Sequence, residues 1–150
     1  MVEQARTLEQ LTLIERLFNG AVGALVRLGI GLPQMRVLEV RGRKSGKLYS
    51  LPVDLLAEGD GRFYLVAPRG YTQWARNAAA AGEVTLRRGS KAAVYRIRIL
   101  TDAEKPPILK AYLVRFHREV GRFFPIPPTS ATEEFVTLAP QYPAFELIPK

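Results

Sequence analysis

The sequence predicts an α+β fold, a small β-barrel of mostly antiparallel strands with helices packed outside it. Two observations predict it. Between residues 35 and 100 the apolar period is two, interrupted at short intervals by turn chemistry. Before and after that stretch the period is helical, so the helices flank the strands instead of alternating with them. The 150 residues are read as a single domain, 1–150, whose first part, 1–33, is an N-terminal helical segment. That length suffices to bury a real hydrophobic core.

Thr7 with Gln10 three residues on is a capping-box signature, and Leu8, Leu11, Ile14, Leu17 and Phe18 follow at helical spacing. Asn19-Gly20 is the stop. A second apolar piece from Ala21 to Leu28 ends at Gly29-Ile30-Gly31-Leu32-Pro33. Glu15, Arg16 and Arg27 argue against a spanning helix, which needs about 20 mostly apolar residues. Packing over the barrel is the favoured reading, and a peripheral membrane contact through residues 8–32 stays open.

Met35 to Arg41 reads as a first strand and Leu48 to Ala57 as a second. Glu58-Gly59-Asp60-Gly61 is a hairpin turn by its chemistry, leading to a third strand over Arg62 to Ala67. Pro52 inside the second strand removes a ladder donor, so it marks an edge, a bulge or a place where a ligand approaches. A loop over 68–73 precedes a short alanine-rich helix, Trp74 to Ala81, stopped by Gly82. Glu83 to Arg88 and Lys91 to Leu100 form a further hairpin. Pro106-Pro107 reads as one short turn ahead of the main helix, about Ile108 to Arg122. Ser130 with Glu133 opens a last short helix, and Ala144 to Ile148 is a final strand.

Composition narrows the function classes. Lys and Arg number 22 against 14 acids, giving +8 and a pI near 10.1, so an acidic partner is expected: nucleic acid, an anionic membrane surface or a small anionic ligand. The absence of cysteine excludes disulfides, thiolate metal sites and cysteine nucleophiles. His117, the single histidine, makes a Ser-His-Asp triad or a histidine metal site improbable and reads as one position on a helix face; no metal is expected. Glu3, Arg6 and Glu9 interrupt any early apolar core, which points to a cytoplasmic protein.

The chemistry concentrates in Arg41-Gly42-Arg43-Lys44-Ser45-Gly46-Lys47, a basic loop between two strands. Fixed charge and exposed backbone N–H groups are the two things a phosphate needs; a solvated hairpin tip is the plain alternative. A second basic element, Arg69-Gly70, sits where a strand turns into a helix, and helix N-termini favour anions. If Leu48 to Ala67 forms one hairpin, Arg69 returns to the end of the sheet that carries Arg43 and Lys44. Trp74 and Asn77, three apart, share a helix face. Trp74 reads first as a core or barrel-capping residue, and Asn77 as an amide that orients a loop.

Arg41-Gly42-Arg43-Lys44-Ser45-Gly46, then Leu51-Pro52, then Phe63 to Ala67 with Arg69-Gly70, then Trp74 and Asn77 together resemble the deazaflavin-dependent nitroreductase family. The resemblance covers roughly residues 35–100. It implies a split β-barrel like that of the flavin reductases and pyridoxamine-phosphate oxidases. It also implies coenzyme F420, an 8-hydroxy-5-deazaflavin with a phosphate and an oligoglutamate tail. By position Arg43, Lys44 and Ser45 would hold the phosphate and tail, with Gly46 and Lys47 completing the loop. Pro52 would lie beside the ring, and Arg69, Gly70, Trp74 and Asn77 would complete the cofactor site. The chain departs from the family pattern at Tyr49, where another arginine often stands, and Lys47 is the substitute for it. The loop between Gly70 and Trp74 is shorter than in the mycobacterial nitroreductase type, and the substrate-facing tyrosines of that type, in the region 111–124, have no residue-by-residue match.

The function implied is hydride transfer from the reduced cofactor to a quinone, enone or nitroaromatic acceptor, with Tyr71 the candidate proton donor. FMN is the runner-up cofactor, since its phosphate also wants basic residues. A non-catalytic cofactor- or fatty-acid-binding module is the alternative of a different class. A nucleic-acid partner is disfavoured because closely spaced exposed aromatics on a strand face are lacking. Either a monomer or a homodimer is compatible with the sequence.

Overall fold

The computed structural model describes residues 33–150. The helical segment expected over residues 1–33 and the membrane contact considered for 8–32 lie outside the described residues, apart from Pro33. The strands are β1 (Met35–Arg41), β2 (Leu48–Asp54), β3 (Leu56–Ala57), β4 (Phe63–Val66), β5 (Glu83–Arg88), β6 (Lys91–Ile99) and β7 (Ala144–Pro149). The helices are α1 (Gln73–Ala81) and α2 (Lys105–Val120), with short 3-10 turns between α2 and β7.

All seven strands form one antiparallel sheet in the order β2-β1-β5-β6-β7-β4-β3. The expected second strand is real but broken. At Leu55 the chain leaves the ladder, its N–H donating to the Gln34 carbonyl at 2.9 Å. The residues before the break pair with β1 and those after it with β4. One run of chain thus serves both outer edges of the sheet and curls it into a half-barrel. The hairpin expected between the second and third strands shrinks to Leu56–Tyr64 and Ala57–Phe63. Between β2 and the end of β4 a gap is left, and the site lies there.

The period of two along β4 divides the core. Phe63 and Leu65 point into the barrel with Leu38, Val84, Phe145 and Leu147. Tyr64 and Val66 point outward, under Leu109, Leu113 and Phe116 of α2 and Phe135 beyond it. β7 reaches the centre of the sheet between β6 and β4, so the last strand in sequence closes the core.

Two boundaries differ from expectation, and one capping pair forms as expected. Pro106 and Pro107 belong to the first turn of α2, where a missing N–H costs nothing because no intrahelical partner exists there. The Thr101–Glu104 pair forms as expected, with Thr101 N–H donating to Glu104 Oε1 at 3.0 Å. The last short helix is a 3-10 turn over Thr132–Phe135, and the pair that caps it is Ala131 N–H to Glu134 Oε2, one residue after the expected Ser130–Glu133.

Candidate functional site

The basic loop is built by its own backbone. Gly42 N–H donates to Lys47 O at 2.7 Å and Gly46 N–H to Gly42 O at 2.9 Å, and Gly46 takes φ +70°, a conformation that favours glycine. Gly42 is needed for a different reason: a Cβ there would meet the Tyr49 ring at 2.6 Å. Tyr49, standing where the family often has arginine, lies on the loop with its hydroxyl 3.4 Å from Ser45 Oγ.

Helix α1 fixes where the loop sits. Asn77, only 6% exposed, accepts from Arg43 N–H at 3.1 Å and from Arg43 Nη1 at 2.8 Å, and Gln73 Oε1 accepts from Nη1 at 2.9 Å. Arg43 is therefore a clamp between loop and helix, and its Nε and Nη2 make no hydrogen bond among the described residues. The Lys44, Lys47 and Arg69 side chains make no hydrogen bond or ion pair among the described residues, and all three are exposed. Asn77 orients a loop, as its sequence position suggested.

Two hollows open along the gap between β2 and β4. One, of about 560 Å³, runs from Lys44 and Ser45 past Tyr49 to Trp74 and Asn77. The other, of about 310 Å³, is walled by Pro52, Val66, Pro68, Trp74 and Val120, with Arg69 on its rim. Leu51, Thr72 and Trp74 line both, so the two form one groove. Trp74 is half-buried, its ring 6.1 Å from that of Phe145; it packs against the core and faces the groove at once. Pro52 lies in the edge strand, where its missing N–H leaves no ladder gap. Thr72, at the N-cap of α1, buries its Oγ1 with no hydrogen-bond partner among the described residues. Gly70 takes φ +86° to turn the chain into α1, under the Gln141 carbonyl.

The groove thus gathers Lys44, Ser45, Pro52, Arg69, Trp74 and Asn77 at or along one channel. Lys47 lines neither hollow, and Gly70 borders a neighbouring one beside Tyr142. Tyr71 is not brought in. It is 54% exposed and lines a hollow on another face with Ala75, Arg76 and Ile99. The turn at Gly70 sends successive side chains to opposite sides, so Thr72 faces the groove and Tyr71 does not.

Two groove residues escaped the sequence reading. Asp54, on β2, and Tyr112, on α2, line the end beyond Pro52. Burial pushes the Asp54 carboxyl up to about 6, the Glu119 carboxylate adds to the rise, and a hydrogen bond from Gln34 opposes it. Tyr112, 2% exposed, has its hydroxyl held neutral by burial first and by the Asp54 and Glu119 charges second. Asp54 was detectable in the sequence: two residues beyond a groove-facing proline, it shares that strand face. Tyr112 carried a weaker signal: it is the one tyrosine in the region 111–124, where the resemblance looks for substrate-facing tyrosines, but its spacing to Phe116 reads equally as core.

His117 sits on the exposed face of α2, its ring Nδ1 3.1 Å from Val114 O. Among the described residues no group of three or more His, Asp or Glu side chains could hold a metal ion, and no helix is long and apolar enough to cross a membrane.

Chemically, one end of the groove suits an anion and its middle suits a flat apolar ring. Its far end offers a carboxyl and a phenol. Residues 8–118 match a family model described as F420H(2)-dependent quinone reductase. No curated protein matches the chain. Among solved structures, a protein of unknown function from Agrobacterium tumefaciens superposes with a TM-score of 0.56 at 18% identity, covering 77% of this chain. The chain spans about half of that protein, 48% of its length. A structure described as an F420-H2 dependent reductase superposes at TM-score 0.53 and 20% identity, over 77% of this chain and 94% of its own. Another, described as a domain-swapped dimer, superposes at TM-score 0.54 and 17% identity, over 95% and 98%. These likenesses establish the split-barrel fold.

Proposed function

The chain belongs to the F420H(2)-dependent quinone reductase family, and from that premise we propose that it reduces a quinone at the expense of reduced coenzyme F420, with enones and nitroaromatics as further acceptor classes. Family membership makes it a deazaflavin-dependent oxidoreductase.

The residues present fit that cofactor. A deazaflavin needs an apolar slot for its ring, a hydrogen-bonding wall for the ring's polar edge, and cations for its phosphate and tail. Leu51, Pro52 and Trp74 supply the slot. Thr72 lines the groove, and a turn of its side chain about χ1 would bring its buried hydroxyl, unpaired among the described residues, to that wall. Leaving such a group unpaired costs roughly 1–3 kcal/mol, which a ligand's polar edge would offset. Lys44, Ser45 and Lys47 are assigned to the phosphate and tail, helped by the N-terminus of α1. Arg43 holds the loop in place and adds its spare N–H groups. Arg69, across the gap, takes anionic or carbonyl oxygen at the other rim.

The bound deazaflavin supplies the hydride chemistry. Pro52 and Trp74 would hold the ring, the walls of the half-barrel would exclude water, and the cations at either end would compensate charge. The observation that carries the reading is the continuity of one groove from the basic loop to Asp54. FMN remains the rival ligand, since its phosphate would suit the same loop.

The test mixes the protein with reduced coenzyme F420 and menadione without oxygen and follows reoxidation of the cofactor. Protein-dependent oxidation that FMN cannot support is the expected result. Tight FMN binding without deazaflavin binding would move the chain to the flavin reductases. Deazaflavin binding with no turnover of any of the three acceptor classes would make it a carrier.

A further inference from the structure

The groove has a far end that the cofactor's anionic tail does not explain. Beyond Pro52 its walls are apolar, Val66, Pro68 and Val120 among them, and among the described residues only one acid and one cation line it. The acid is Asp54 and the cation is Arg69. Asp54 and Pro52, two residues apart, lie on the same face of β2. A carboxyl in this position is next to whatever stacks beyond Pro52, and it is poorly solvated.

We propose that Asp54 is the proton donor to the bound acceptor, and that the acceptor is a neutral quinone or enone whose carbonyl oxygen sits between Asp54 and Tyr112. This rests on the deazaflavin-reductase reading and names what that reading leaves open. Reduction of a quinone adds a hydride, two electrons with one proton, from the reduced deazaflavin, and the product oxygen must take up one further proton. Asp54 breaks its O–H bond and forms the new O–H bond on that oxygen. The acceptor is reduced, the cofactor oxidised, and Asp54 is left as a carboxylate that solvent reprotonates.

The surroundings suit this task. Glu119 and Tyr112 face Asp54 from α2, the Gln34 amide donates to it from the segment before β1, and Arg69 stands on the opposite rim. Burial and the Glu119 carboxylate both favour the protonated acid, and a general acid works best when its titration lies near the working pH. Tyr112 stays neutral, and its hydroxyl makes no hydrogen bond among the described residues, so it can donate one to the acceptor oxygen. An anionic acceptor would meet the Glu119 carboxylate and an apolar wall, whereas a neutral one meets a protonated Asp54 that can donate to its oxygen. Tyr71, on another face, cannot serve this end of the groove.

The experiment compares wild type with Asp54→Asn, each saturated with reduced coenzyme F420, in stopped-flow reduction of menadione between pH 5 and pH 8. Wild type should slow as pH rises, with a midpoint near 6. Asp54→Asn should be slower at pH 5.5 by roughly 100-fold or more and lose the midpoint. A carbon-13 titration of the Asp54 carboxyl in the protein without ligand reads the same group independently of activity, and is expected near 6. A flat pH profile in a turning-over wild type, or an Asp54→Asn variant with an unchanged profile, overturns the proton-donor role while leaving the cofactor reading intact. Absence of deazaflavin binding in wild type overturns both. If Asp54→Asn fails to fold, the carboxyl titration decides: a midpoint at the ordinary carboxylate value overturns the proposal.

Discussion

The two ends of the groove are made in opposite ways. The basic end comes from one short run of sequence, Arg43 to Lys47, pinned by Asn77 and Gln73 of a single helix. The far end is assembled from four segments: β2 gives Asp54, the loop after β4 gives Arg69, α2 gives Tyr112, and the residues before β1 give Gln34. Charge at the first end is exposed and carries few partners. At the second end it is partly buried, and its titration is displaced. The difference teaches that a site which grips a charged tail can be local, whereas a site that tunes a proton needs an enclosed cavity made from distant pieces.

The largest effect expected at the basic end comes from Lys44→Glu with Lys47→Glu. Each lost charge-assisted contact is worth about 1.5–3 kcal/mol, so affinity for coenzyme F420 should fall by roughly 100-fold or more, as isothermal titration would report. Equal affinity would detach the basic loop from the groove. Next comes Asn77→Ala, which leaves the Arg43 N–H and guanidinium without their buried acceptor. A stability loss of about 2 kcal/mol in urea melts is expected, together with a cofactor affinity lowered by a misplaced loop. If stability drops and affinity does not, Arg43 serves the fold alone.

Thr72→Val should act with opposite signs in the two states. Removing an unsatisfied buried hydroxyl without changing shape should stabilise the ligand-free protein by up to about 1 kcal/mol, and weaken deazaflavin binding several-fold. Matching losses in both would mean that Thr72 has a partner within the protein.

The smallest effect belongs to the far end. The folded-state pKa of Asp54 lies above its unfolded value of 3.8, at about 6. The folded protein therefore holds the proton more tightly, and the contribution of Asp54 to stability is full below pH 4 and lost as pH rises through 6. Asp54→Asn should raise the stability of the ligand-free protein at pH 8 by about 1 kcal/mol, a value discounted for the part of the carboxyl that water reaches, and leave it nearly unchanged at pH 4. Thermal melts at the two pH values read this directly; a variant less stable at pH 8 would contradict the buried-carboxyl account.

This contrast also explains what could be read from sequence. Strand β1 was legible to the residue, because its apolar alternation and the glycine after it leave no other register. The basic loop, Pro52, Arg69 and the Trp74–Asn77 pair were legible because each is a local pattern. The break at Leu55 was not, since it arises from the closure of the sheet and nothing in Val53-Asp54-Leu55 announces it. Nor was the insertion of β7 between β6 and β4, which depends on pairings between residues 46 or more apart, Ile99↔Phe145 being the nearest in sequence. Asp54 and Tyr112 become a pair only through that closure, so Tyr71, close to the motif in sequence, was the natural candidate for the proton, and it stands on another face.

Trp74 is the chain's single tryptophan and lines both halves of the groove, so its fluorescence reports occupancy without a label. Titration of the protein with oxidised coenzyme F420 should quench it saturably, and added salt or Lys44→Glu should shift the curve to higher concentration. Unchanged Trp74 emission across the titration, or binding indifferent to both salt and Lys44→Glu, would contradict the central claim that this groove holds the deazaflavin by its anionic tail.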